Sequence, residues 1–157
     1  MNDLALARAL HVAAVVVWIG GVSVVTTVLL PMMRKLEPSR RPAFFAEVER
    51  RFRPQARLCV LVAGLSGLYM VIGLDLWDRF ASAVYWWMHA MVLLWCIFAA
   101  LLFVIEPLLL HRRLASPGAS HSDASFRFAA RLHWAMLVLS LVTILGAVAG
   151  SHGFWFG

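Results

Sequence analysis

The sequence predicts an all-α integral membrane protein, an up-and-down bundle of four helices. Three observations carry that expectation. Of the 157 residues, 62% are hydrophobic and 14% charged, whereas soluble domains are about half apolar and a quarter charged. The apolar residues gather into four runs near the ~20 residues that cross a bilayer as a helix. The 14 basic residues lie almost entirely between those runs.

The runs are Leu4 to Leu30, Leu58 to Leu76, Ala83 to Ile105 and Phe128 to Gly150. Backbone groups in hydrocarbon must be satisfied within their own segment, so helices are the expected form. No alternating strand pattern or long repeat competes, and residues 1–157 read as a single membrane domain.

In the first span Asp3 comes before the apolar run and the basic cluster after it. A cleaved signal peptide has the reverse charge order, so this segment is expected to stay as a span. The first loop, Pro31–Arg57, carries Pro42 at a helix start, Phe45, Val48 and Phe52 at helical spacing, and the i,i+4 pairs Glu47–Arg51 and Glu49–Arg53. That pattern predicts an amphipathic helix over about 42–53 in the cytoplasmic interface. A solvated charged turn is the alternative.

The second span holds Ala63-Gly64 and Gly67, small residues that let helices approach. A short loop, Trp77–Ser82, leads to Tyr85-Trp86-Trp87, an aromatic cluster suited to the outer interface. The third loop, Glu106–Arg127, contains Ser116-Pro117-Gly118 and Ser120 and reads as a turn-rich connector. Gly146-x-x-x-Gly150 in the fourth span is a close-packing signal, with dimerisation as an open alternative.

Charge sets the orientation. Arg34, Lys35, Arg40, Arg41, Arg50, Arg51, Arg53 and Arg57 fall in the first loop; Arg112, Arg113, Arg127 and Arg131 lie in or beside the third. The positive-inside rule makes that face cytoplasmic and puts both termini on the outer, periplasmic side of a bacterial inner membrane. Anionic lipid headgroups are the expected partner of the basic loops, at about 1 kcal/mol per residue. Nucleic acid is not expected. Cys59 and Cys96 are too few and too far apart for a disulfide framework, and they read as packed thiols.

Ionisable side chains within spans are the candidates for function. His11 enters the first span about 10 Å past Leu4, at 1.5 Å per residue. Trp18 follows seven positions on, sharing its face. His89 follows the outer aromatic cluster on the third span, one to two turns inside the outer surface, and that span runs the same way. Two imidazoles at matched depth are a standard way to hold a low-spin haem b. Interhelical hydrogen bonding by either ring is one alternative. Copper is the other, and would enlist Met88, Met91 or Cys96 as soft ligands.

His152 at the outer end of the fourth span is a third ligand or an interfacial residue. His111 and His133 could form an inner-side site, and His121 is expected to be solvated. Glu106, followed by Pro107, is expected to pair with Arg131 or another inner basic residue, with a proton relay as the sharper reading. No Gly-rich phosphate loop, nucleophile elbow or His-Glu-x-x-His is present, so hydrolase and nucleotide-driven readings have no footing.

The opening Arg8-Ala-Leu-His11, with Trp18 and Gly20-Gly21 after it, resembles small CopD-type copper-resistance membrane proteins. The resemblance continues through Phe52-Arg53-Pro54, Ser66-Gly67, Tyr85-Trp86-Trp87-Met88-His89 and Glu106-Pro107. It implies a four- or five-helix inner-membrane protein, with copper handling suggested by the family name. The same opening is similar to HemJ-type protoporphyrinogen oxidases, which bind haem b through the first-helix histidine. Their third-helix Trp-x-His-x-Lys pattern is here Trp87-Met88-His89-Ala90-Met91, with Met91 where the lysine would be. Haem binding survives that departure if His89 or Met91 ligates; protoporphyrinogen oxidation is not carried over.

The sequence thus leads to a haem b redox protein, acting in electron transfer or oxidation of a lipophilic small molecule. Copper binding or translocation is the first alternative. A non-catalytic subunit or assembly factor, partnered by a membrane complex or a second copy of the chain, is the other.

Overall fold

Four long apolar helical stretches make up the computed structural model, which describes residues 2–37, 39–108 and 123–153. Helix α1 (Asn2–Val24) runs through a π turn (Val25–Leu29) into α2 (Leu30–Arg34). Helix α3 (Arg41–Gly73) follows, then two 3-10 turns (Trp77–Ala81 and Ala83–Tyr85). Helix α4 (Trp86–Ala100) passes through a second π turn (Leu101–Ile105), and α5 (Asp123–Ser151) ends the described chain. Among the described residues there is no strand. His111, His121, Arg112, Arg113 and the Ser116-Pro117-Gly118 turn lie outside the described residues.

Four of these stretches are long and apolar enough to cross a membrane: Asp3–Arg34, Ala43–Gly73, Ala83–Leu108 and Phe126–Ser151. Their outward faces remain hydrophobic. Leu65 is 68% exposed and Leu145 also 68%, and such extended apolar surface is stable facing lipid rather than water. The chain is a multi-pass membrane protein by this measure.

The helices are longer than the apolar runs. The first rod continues to Arg34, and α3 begins at Arg41, so the first loop is short. The amphipathic segment over 42–53 is helical, as its pattern predicts, but it is the N-terminal part of α3 and not a separate element. Pro54 sits inside α3 without ending it. The expected Glu47–Arg51 pair forms at 2.8 Å, joined by Arg50 at 2.8 Å, while Arg53 lies 3.8 Å from Glu49. Helix α3 ends in a Schellman arrangement: Leu76 N–H reaches Val71 O at 3.0 Å and Asp75 N–H reaches Ile72 O at 3.3 Å. Asp75 takes the left-handed position (φ 48°) that glycine usually fills.

Both π turns stand just before a proline. Leu30 N–H bonds Val25 O and Pro31 follows; Glu106 N–H bonds Leu101 O and Pro107 follows. A proline ring clashes with the carbonyl four residues back and supplies no donor. Widening the preceding turn relieves the clash, which is how π bulges enter long helices.

Helices α1 and α3 pack antiparallel along much of their length. Leu4 lies against Gly73, His11 against Gly67, and Phe52 against Gly21. The core joins Ala14, Trp18 and Ile19 of α1 to Val60 and Ala63 of α3, Phe98 of α4 and Leu137 of α5. Trp18 and Phe98 meet edge to face, with centroids 4.8 Å apart. Trp95 lies over Gly64 and donates its indole N–H to Val60 O at 2.8 Å. Buried hydroxyls return to their own helices: Thr26 to Val22 O at 2.7 Å, Ser140 to Met136 O at 2.7 Å, Thr143 to Leu139 O at 2.8 Å. No water is needed to satisfy them in hydrocarbon.

Gly146 and Gly150 serve contacts inside the chain. Trp86 covers Gly146 and Trp87 covers Gly150, so closely that a methyl group at either position would overlap the indole. The glycine pair anticipated as a close-packing signal is a seat for two tryptophans.

Candidate functional site

The imidazole of His11 is held by α3. Its Nδ1 lies 2.9 Å from the Ala63 carbonyl and 3.2 Å from Ser66 Oγ. A carbonyl only accepts, so Nδ1 carries the proton and donates. The Ser66 hydroxyl itself donates to Val62 O. Gly67 gives the ring its room, since a Cβ there would stand 3.2 Å from Cε1. This fixes the tautomer and leaves the Nε2 lone pair without a hydrogen-bond partner among the described residues. A ligating histidine is commonly oriented in this way, with its other N–H on a backbone carbonyl.

His89 is placed differently. Its Nε2 lies 3.0 Å from Phe80 O and its Nδ1 3.3 Å from Tyr85 O, while Phe80 packs edge-on against the ring at 5.5 Å. A neutral imidazole has one N–H and so donates to only one of these carbonyls. The shorter contact ties Nε2 to the first 3-10 turn, Trp77–Ala81. Each of the two histidines is therefore engaged by its own neighbours, His11 by α3 and His89 by the connection leading into α4. His11 could hold a metal or cofactor through Nε2, whereas His89 Nε2 is engaged by Phe80 O.

The remaining histidines and cysteines are dispersed. His152 Nδ1 caps Val148 O at 2.8 Å, and His133 Nδ1 bonds Ala129 O at 2.9 Å, each within its own helix. Cys59 is buried and Cys96 exposed, both as free thiols. Among the described residues no three His, Cys, Asp or Glu side chains converge as a metal cluster would require.

The second constellation lies where the start of α3 meets the end of the α4 rod. Glu106 forms an ion pair with Arg53, and Arg57 is 3.9 Å from its other oxygen. The partner is thus another basic residue of the first loop region, not Arg131. Glu106 and Arg53 are 17% and 22% exposed, so the pair is partly desolvated. Arg57 also donates to Leu102 O and lies 5.7 Å over the Phe103 ring. With Glu49 beside Arg53, two guanidiniums face two carboxylates and the cluster is close to neutral.

Beside this cluster is a cavity of about 360 Å3. Its walls include Trp18, Val22, Phe52, Phe98, Leu102 and Met136, with Arg53, Glu106 and His133 among its polar lining. Both π turns border it, through Val25 on one side and Leu101, Leu102 and Ile105 on the other. The indole Nε1–H of Trp18 is buried with no partner among the described residues, a state that costs about 1–3 kcal/mol if nothing accepts it. Sequence reasoning missed this cavity. The signals were there in Pro31 and Pro107, which mark π turns, and π turns gather at functional sites.

No protein family, curated protein or solved structure matches this chain.

Proposed function

We propose that the chain is a bacterial inner-membrane redox protein that binds a b-type haem near its outer face, with His11 as an axial ligand. It forms an up-and-down four-helix bundle with both termini in the periplasm. The observation that carries the reading is the His11 ring: an imidazole within an apolar span, its Nδ1–H committed to Ala63 O and its Nε2 uncommitted. The orientation rests on the first- and third-loop basic residues. His89 would hold the haem as well, exchanging its contact with Phe80 O for the iron. When bound, haem would supply one-electron chemistry, tuned by its ligands and their surroundings. The role is electron transfer or oxidation of a lipophilic small molecule. Copper binding, which would enlist Met88, Met91 or Cys96 as soft ligands, is the alternative.

The test is the visible spectrum of the full chain, expressed with ample haem supply and purified in detergent. The expected result is a Soret band with an α band that sharpens on reduction. A colourless protein would end the haem reading, and metal analysis of the same sample would then decide for copper or for a structural role.

A further inference from the structure

We infer that the cleft where the end of α2 meets the starts of α3 and α5 binds the phosphate group of one anionic glycerophospholipid. Arg34, Arg41 and Arg127 line it, with Phe126 as its apolar wall. Three guanidiniums and, among the described residues, no carboxylate make an anion the complement. Arg53 and Arg57 differ in this respect, since Glu106 and Glu49 already match them.

The cleft is built, and is more than a diffuse basic face. Arg41 donates from Nε to Leu36 O at 3.1 Å and from Nη2 to Arg34 O at 3.2 Å, and it lies 5.6 Å over the Phe126 ring. It therefore fastens the turn between α2 and α3 to the start of α5. Phe126 itself packs on a core of Leu30, Met33 and Ala130, which fixes the wall. Arg34 and Arg127 are exposed, and neither forms an ion pair among the described residues. Their planar forks match the oxygens of a phosphate.

Position selects a lipid over free phosphate. Arg34 ends the first membrane-spanning stretch and Phe126 begins the fourth, so the cleft stands at the level of the headgroups. Just inside that level Val28, Met32 and Phe128 are exposed, an apolar surface for acyl chains. A phosphomonoester carries roughly −1.5 to −2 charge at pH 7 and answers three guanidiniums better than a diester. The site stands apart from the redox reading, because neither His11 nor His89 lines it.

The experiment is native mass spectrometry of the full chain in detergent with dioleoyl phosphatidate. Dioleoyl phosphatidylcholine is the zwitterionic comparison, and inorganic phosphate is the lipid-free source. One phosphatidate per chain should be retained and phosphatidylcholine much less, and inorganic phosphate at equal concentration should not displace the lipid. Arg34→Gln and Arg127→Gln, both at exposed positions, should each weaken phosphatidate binding about 10-fold. Arg50→Gln removes the same charge from α3 outside the cleft and should leave affinity unchanged. Unaltered affinity in Arg34→Gln and Arg127→Gln, an equal loss in Arg50→Gln, or equal binding of phosphatidylcholine would each overturn the site. Displacement by inorganic phosphate at equal concentration would overturn the lipid as its source.

Discussion

The guanidinium of Arg57 donates to the carbonyl of Leu102, at 3.2 Å from Nε and 3.0 Å from Nη2. The reason lies five residues further on. In the π turn each carbonyl takes the N–H five positions later, as Leu101 O takes that of Glu106. The corresponding donor for Leu102 would be residue 107, which is proline and has no N–H. An unpaired carbonyl in hydrocarbon is costly. Arg57 of α3 supplies the missing donor and ties the two rods together beside the cavity.

That relationship predicts a thermodynamic coupling. Arg57→Met should destabilise the protein by about 1–3 kcal/mol, the cost of a buried acceptor left unmet. Pro107→Ala restores a backbone donor, so Arg57→Met should cost clearly less in that background. Unfolding midpoints of the four proteins of the cycle measure it. Equal costs in both backgrounds would mean that Arg57 acts only through Glu106.

The Glu106–Arg53 pair gives a second prediction. Breaking one partner of a partly desolvated pair leaves the other charge uncompensated. Glu106→Gln should therefore destabilise by about 1–3 kcal/mol, and Arg53→Met in the Glu106→Gln background should add little. Haem content and any redox turnover should persist. Loss of turnover with normal stability and cofactor content would assign Glu106 to proton transfer instead.

The tryptophan seats predict a third result. Ala at Gly146 or Gly150 places a methyl group inside the Trp86 or Trp87 indole, and such overpacking costs about 1–3 kcal/mol. Gly20→Ala meets nothing within 4 Å and should be neutral or slightly stabilising, since alanine is the better helix former. Trp87→Leu should rescue Gly150→Ala. Were Gly20→Ala as damaging as Gly146→Ala, loss of backbone freedom rather than ring contact would be the cause.

Much of this fold was legible because bilayer physics imposes long apolar helices, and the four runs locate all four. Their ends were less so. Phe45, Val48 and Phe52 read as an interfacial helix of its own over about 42–53, yet α3 carries on through Pro54 to Gly73. That continuity is what brings Arg53 and Arg57 to Glu106, a pairing no local pattern encodes. His11 and His89 were matched by depth along their helices. Their actual partners depend on ring orientation and on the 3-10 turn that carries Phe80, neither of which hydropathy reports. Trp18 shares the His11 face, but an unpartnered indole N–H is set by ring orientation, which that pattern does not encode.

Topology can be tested without any cofactor. If the basic loops are cytoplasmic, a single cysteine at Ser39 is shielded from an impermeant thiol reagent in intact cells, and one at Ser82 is labelled, in a background with Cys59 and Cys96 replaced. Both positions should react after lysis. Labelling of Ser39 but not Ser82 in intact cells would reverse the orientation and move the His11 end of the molecule to the cytoplasmic face.

The histidines yield the prediction on which the redox reading depends. His11 is preorganised: Ala63 O and Ser66 Oγ hold Nδ1, and Nε2 is uncommitted. His89 must exchange its 3.0 Å contact with Phe80 O for the metal. A ligand held in place contributes more than one that must first be released, so the two substitutions should differ. His11→Ala should lose haem, whereas His89→Ala should retain part of it and convert a low-spin spectrum to a high-spin one. Ser66→Ala leaves the Ala63 carbonyl in place and should change little. His121→Ala should change nothing. If the His11 and His89 variants both keep the spectrum of the unmutated protein, neither ring is a ligand, and His133, whose Nδ1 is likewise tied to a carbonyl, becomes the next position to test.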